Sequence, residues 1–304
     1  TVSVIISALA AFTVSSNVIV IVALVKSRRV DSRNVISRSQ DNGITKLTME
    51  SMAVADVLFG VFLIPMFTME VINKGRWEFG SELCWIRKTI NNVLCGVSIY
   101  HVFFMALDRF LAICKPMLYR LLTVRHGYAM VALSWVIPCV VFMLVEGFGW
   151  NHIGVEDRVN AFEKNRICGS VYNMDVFLIV FTLCFYIPFV AAAILYVFVL
   201  REIRNFHKRT PRFEGPSNNA KPGSTNRNFK AYRTIGCMFF WFTLCWVPTW
   251  IFSCVLVYTE YSVSGWVIIS LTLLAYANAG VNPFIYCFIR SVRLSVKSLL
   301  CAKF

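Results

Sequence analysis

Charge is scarce in this sequence. Only 15% of the 304 residues are Asp, Glu, Lys or Arg, against about 25% in soluble domains. With 58% hydrophobic residues beside it, that shortage excludes an ordinary water-soluble domain. Histidine is scarcer still. His101, His126, His152 and His207 are scattered, with no metal-ligand or triad spacing, so no enzyme is read here. There is no Asn-x-Ser/Thr acceptor and no basic segment leading into a short apolar run and a cleavage site. A signal peptide is therefore not expected, and the chain reads as trimmed at both ends. No internal repeat is found, which counts against a secondary transporter.

What is present is a series of apolar runs, each of the roughly 20 residues that cross a bilayer. They cover about 2–25, 47–71, 83–114, 129–149, 176–200, 232–258 and 263–289. The expected fold is all-α, one seven-transmembrane helix bundle over residues 1–304. A shorter stretch at 290–300 carries Val292, Leu294, Val296, Leu299 and Leu300 with Arg293 and Lys297 between them. That pattern suits a short amphipathic eighth helix in the membrane interface, in contact with lipid. The segments 26–45 and 206–226 are long, polar and rich in turn residues, and read as flexible, solvated loops.

A net charge of +14 in a soluble protein would suggest nucleic acid. Here the bases lie between apolar runs, and no nucleic-acid partner is read. Of the 30 basic residues, 23 fall on odd-numbered loops and the tail, counting Lys46 and Arg109 among them. That asymmetry places those loops in the cytoplasm and the N-terminus outside, as in a multi-pass plasma-membrane protein. Most of the 11 cysteines lie inside apolar runs, where free cysteine acts as a small hydrophobe. Cys84 and Cys168 differ: both sit in polar segments on the outer, oxidising side.

Polar and helix-breaking residues recur once per run: Asn17, Asp56, Asp108-Arg109-Phe110, Trp135, Pro188, Cys245-Trp246-Val247-Pro248 and Asn282-Pro283-Phe284-Ile285-Tyr286. Ionisable groups inside a membrane are costly and mark function. The set, in this order, resembles the rhodopsin-like G-protein-coupled receptors over essentially the whole chain. The resemblance implies a receptor that binds a small-molecule ligand between the helices and activates a heterotrimeric G protein. It implies a Cys84–Cys168 disulfide, and a sodium ion in the internal polar cluster of Asp56, Ser98, Trp246, Asn278 and Asn282. Arg109 would be held by Asp108 at rest and swing to the G protein on activation. Pro188, Ile99 and Phe242 match the connector between pocket and helix movement. Tyr196 and Tyr286 match the pair that meets near Arg109 in active receptors. Met117 matches the apolar residue that enters a pocket on the G protein, and Cys301 is a candidate for lipidation. Relatives often hold the span-three Arg with an acid twenty residues before the span-six Pro. Here that residue is Asn228, so the resting state is expected to keep only the partly exposed Asp108–Arg109 contact and to leak some signal.

In texture the chain is similar to the amine and adenosine receptor branch. The residues matching that branch's pocket are Asn91, Asn92, Cys95, Val180, Phe181, Trp246, Thr249, Trp250, Ser253, Thr272 and Tyr276. Amine receptors carry an Asp at the position of Asn91, and an amide cannot neutralise an ammonium. The expected ligand is small and neutral, or an amine paired by an atypical acid such as Glu70, Glu146 or Asp175. A ligand-independent receptor and a transporter are the alternatives.

Overall fold

A computed structural model describes residues 2–33, 43–209, 223–258 and 264–301. Among these, seven helices are long and apolar enough to cross a membrane: Val2–Lys26, Gly43–Ile72, Gly80–Cys114, Val124–Gly147, Met174–Asn205, Gly236–Val255 and Gly265–Tyr286. They are called spans one to seven below.

The helices outrun their apolar stretches. The first continues to Arg33, the fifth to Arg209, and the sixth begins at Gly223. Parts of both segments read as loops are thus helical, because a backbone hydrogen-bond ladder does not stop where hydrophobicity does. Residues 34–42 and 210–222 lie outside the described residues. Lys46 and Arg109, counted as loop bases, are instead buried at 3% and 4% exposure.

Span three is the axis of the bundle, packing against spans two, four, five and six. Its close contact with span four depends on Gly96, where a Cβ would lie 2.8 Å from the Pro138 ring. Cross-links of single polar side chains fix helix rotation. Asn17 in span one donates to the Ala279 carbonyl in span seven at 3.0 Å. Trp135 in span four donates its indole N–H to Ser51 in span two at 2.9 Å, and His101 in span three meets the same hydroxyl. Buried polar groups that find partners in this way specify one packing.

Two wide π turns interrupt the spans, Phe59–Leu63 and Thr182–Tyr186. Each lies just ahead of a proline, Pro65 and Pro188. Proline lacks an N–H and its ring crowds the carbonyl four residues back; the extra residue in the turn accommodates both. The kink expected at Pro188 is therefore built as a π turn followed by the proline.

At the end of the bundle carrying Cys84 and Cys168, the long loop between spans four and five contains a helix, Glu156–Lys164. The loop is tied to the span-two/three turn by the Trp77 N–H to Arg166 carbonyl bond of 2.7 Å and by Arg166–Glu78 at 2.6 Å. At the opposite end a four-residue helix, Pro116–Tyr119, leaves span three, and Thr123 with His126 forms a capping box that opens span four. The amphipathic helix Arg290–Cys301 packs on span one, burying Val292 while Arg293, Leu294 and Lys297 are exposed.

Candidate functional site

Below the disulfide end, spans three, six and seven enclose a cavity of about 180 Å³. Span three contributes Arg87, Lys88 and Asn91, the outer loop Cys168 and Ser170, span six Trp246 and Thr249, and span seven Thr272, Ala275 and Tyr276. Five residues expected of the pocket, Asn91, Trp246, Thr249, Thr272 and Tyr276, meet here. Cys84 and Cys168 are bonded to each other. The bond fastens the loop to the top of span three and sets Cys168 in the cavity roof.

The other pocket residues take other places. Asn92 turns away, donating to Glu146 at 2.7 Å and lying 2.9 Å from the Tyr172 hydroxyl. Cys95 and Val180 are buried in the core. Phe181 sits in an aromatic row with Phe177 at 4.2 Å and Phe185 at 5.1 Å. Trp250 packs on Phe185, Phe189 and Phe242, and Ser253 donates to the Thr249 carbonyl of its own helix. Helix rotation, which spacing alone does not reveal, separates the two groups.

None of the three candidate acids lines this cavity. Glu70 pairs with Arg87 at 2.7 Å. Glu146 accepts from Thr89 at 2.6 Å and from Asn92 and Tyr172 at 2.7 Å. Asp175 is exposed in the first turn of span five. Arg87 and Lys88 were not foreseen. They sit four and three residues before Asn91, so they share its helix face, and that spacing was a signal available in the sequence. A second, larger cavity of about 880 Å³ lies outside span three, beneath the loop helix, with Lys88, Glu146 and Glu163 in its wall.

Deeper in the bundle Asp56 is 1% exposed and accepts a 2.9 Å hydrogen bond from Asn282. Ser98 donates to Leu94 of its own helix. The amide nitrogen of Asn278 and the indole nitrogen of Trp246 are buried with no partner. Among the described residues no Lys or Arg forms an ion pair with Asp56. A carboxylate buried with one neutral donor requires a counter-charge or a proton. The Asp56 carboxylate and the Ser98 hydroxyl are oxygen donors of the kind a hard cation such as sodium takes, whereas the Asn278 and Trp246 nitrogens are not. Ile99 and Phe242 are fully buried, with Phe242 stacked on Trp246 at 6.0 Å.

At the basic end Asp108 and Arg109 do more than pair with each other. Arg109 meets Asp108 Oδ2 at 2.6 Å and is buried with it. The Thr45 hydroxyl bridges the two: it accepts from Arg109 at 2.7 Å and donates to Asp108 at 2.6 Å. Tyr119 donates to the other carboxylate oxygen at 3.2 Å. The expectation of a partly exposed pair acting alone is therefore corrected, since spans two and three and the short helix all hold it. Met117, two residues before Tyr119, is 73% exposed. Tyr196 stacks on Phe239 and packs so closely on Gly236 that no Cβ would fit. The Tyr286 hydroxyl is buried without a partner. The side chains of Asn228 and Cys301 lie outside those described.

The family described as "7 transmembrane receptor (rhodopsin family)" matches residues 16–286, from the later part of span one to the end of span seven. The chain belongs to the rhodopsin family of seven-transmembrane receptors. As a rhodopsin-family member it is a multi-pass membrane receptor and not an enzyme. It is similar to 5-hydroxytryptamine receptor 4 of Cavia porcellus, 29% identical over 313 residues, covering 97% of this chain and 78% of that one. The same receptor of Homo sapiens is 29% identical over 275 residues, with 84% and 71% covered. Trace amine-associated receptor 8c of Mus musculus is 29% identical over 278 residues, with 89% and 80% covered.

Proposed function

We propose that this receptor binds a small ligand in the cavity above Trp246 and answers by activating a heterotrimeric G protein at its basic end. The observation that carries the proposal is the pairing of two sites on one axis. The cavity opens beside Asn91 on span three, and the buried Asp108–Thr45–Arg109 lock closes the far end of the same helix. Pro248, inside span six, and the stacked Trp246 and Phe242 connect them. A ligand can favour the active arrangement only by binding it more tightly than the resting one, and the cavity wall includes a helix that must move.

In this reading the N-terminus is extracellular, because the basic residues gather at the Arg109 end. Arg109 and the exposed Met117 meet the G protein. Sodium at Asp56, with Asn282 and the hydroxyl of Ser98, holds the resting state. Relatives named for 5-hydroxytryptamine and trace amines favour an amine. Asn91 in place of the amine receptors' Asp, in a cavity wall without an acid, argues against one. Nucleotide exchange on a purified heterotrimer, measured with the receptor in lipid nanodiscs across amines, nucleosides, acids and lipids, tests the proposal. Ligand-dependent acceleration supports it. Acceleration equal with and without every compound would favour the ligand-independent alternative.

A further inference from the structure

The charged side chains in the cavity wall are both basic. Arg87 and Lys88 line it beside Asn91, and the remaining wall is neutral: Cys168, Ser170, Trp246, Thr249, Thr272, Ala275 and Tyr276. Arg87 is fixed from behind, by Glu70 at 2.7 Å, by the Cys168 carbonyl at 3.2 Å and by the Trp77 ring, whose centroid is 5.4 Å away. Arg87 lines the cavity and its partner acid Glu70 does not.

Lys88 forms no hydrogen bond or ion pair among the described residues. Glu146 and Glu163 act on it through space, but from the wall of the neighbouring cavity, which Lys88 also lines. The Glu146 carboxylate is already held by Thr89, Asn92 and Tyr172. Lys88 thus stands on the partition between the two cavities, its ammonium uncommitted, one helical turn above Asn91. An ammonium ligand entering here would meet the Lys88 ammonium, and beside it an Arg87 already paired with Glu70, with no acid in the wall, an arrangement that rejects it. A carboxylate would find a free cation, a fixed guanidinium, and amide and hydroxyl donors at Asn91, Ser170 and Tyr276.

We infer that the cavity recognises a small organic carboxylate, with Lys88 as its counter-charge, Arg87 as a second basic contact and Asn91 as a neutral donor. This rests on the reading of the chain as a ligand-activated receptor, and inverts the charge logic that its amine-named relatives suggest. The cavity volume of about 180 Å³ is below the usual range for drug-sized ligands, so the molecule is small.

The test uses the full chain in nanodiscs. Thermal unfolding and G-protein nucleotide exchange are measured with benzoate, phenylacetate and hexanoate, with their methyl esters, and with benzylamine, phenethylamine and hexylamine. At least one carboxylate is expected to raise the unfolding temperature and drive exchange, with its ester and matched amine inert. Lys88→Gln should weaken the effective carboxylate about 10- to 100-fold, the range for one charged hydrogen bond, while Lys88→Arg should retain most of the response. Stabilisation by amines and not carboxylates overturns the inference. So does the absence of stabilisation by any carboxylate, or a carboxylate response unchanged in Lys88→Gln. Ligand-free exchange by Thr45→Val is measured alongside. If it is raised while no carboxylate binds, the anion inference fails and the receptor reading stands. If it stays at the spontaneous rate, the receptor reading itself is in trouble, and the unfolding data still decide whether carboxylates bind.

Discussion

Replacing Thr45 by Val should raise signalling in the absence of ligand. The hydroxyl sits between Arg109 and Asp108 with hydrogen bonds of 2.7 and 2.6 Å, and Thr45 is 5% exposed. Valine has nearly the same shape and removes both bonds, so the buried guanidinium and carboxylate each lose one hydrogen-bond partner. A hydrogen bond to a charged group contributes about 1.5–3 kcal/mol. The two lost here share one hydroxyl and do not add, so we take that range once. An exposed ion pair would give only about 0–1 kcal/mol, but Arg109 and Asp108 side chains are 5% and 1% exposed. If the lock opens on activation, the resting state loses about 10- to 100-fold of its advantage. A population active to about 1% would rise to between about 9% and 50%. The assay is G-protein activation in cells without ligand, at matched surface expression. Thr45→Ser, which keeps the hydroxyl, should remain at the wild-type level. Unchanged output from Thr45→Val, or equal gains from both variants, would show that the hydroxyl bridge does not hold the receptor at rest.

Asn228→Glu should lower basal output in the same assay, because it supplies the span-six acid that relatives use to hold the span-three Arg; unchanged or higher output would exclude that role. Gly96→Val should destabilise the bundle by about 1–3 kcal/mol, since even a Cβ there lies 2.8 Å from Pro138; the detergent unfolding temperature should fall, and an unaltered value would mean that spans three and four separate freely. The Glu156 carboxylate in the outer loop is held below its ordinary range by the backbone N–H groups of Gly154 and of Glu156 itself. A depressed folded value stabilises the loop at neutral pH, and that contribution is lost as pH falls through the folded value. The protection factor of the Gly154 amide, its exchange rate corrected for the intrinsic pH dependence, should therefore fall as the Glu156 carboxylate is protonated, and a protection factor unchanged in acid would refute the contact.

The seven spans were legible because a bilayer demands about 20 apolar residues and every run met that length. Cys84–Cys168 was legible through the family resemblance, supported by both residues lying in polar segments. The helix Glu156–Lys164 was missed among polar residues, although Glu156 and Asp157 in its first turn and Lys164 in its last follow the helix dipole. The π turns left only the prolines that follow them as a trace. Asn92 illustrates the harder limit. Being next to Asn91 suggested a pocket residue, yet adjacent helical positions point about 100° apart, and Asn92 serves Glu146 instead. Thr45 was invisible as a lock residue because its role depends on how span two packs against span three.

The central claim is that this chain converts a change in its outer cavity into nucleotide exchange at Arg109. The most direct measurement is GDP release from a purified heterotrimeric G protein mixed with the full chain in nanodiscs, comparing wild type, Thr45→Val and Thr45→Val combined with Arg109→Ala. Release well above the spontaneous rate with Thr45→Val, abolished by Arg109→Ala at equal receptor stability, is the predicted result. Release at the spontaneous rate with every variant, across the subtypes of G protein, would contradict the claim.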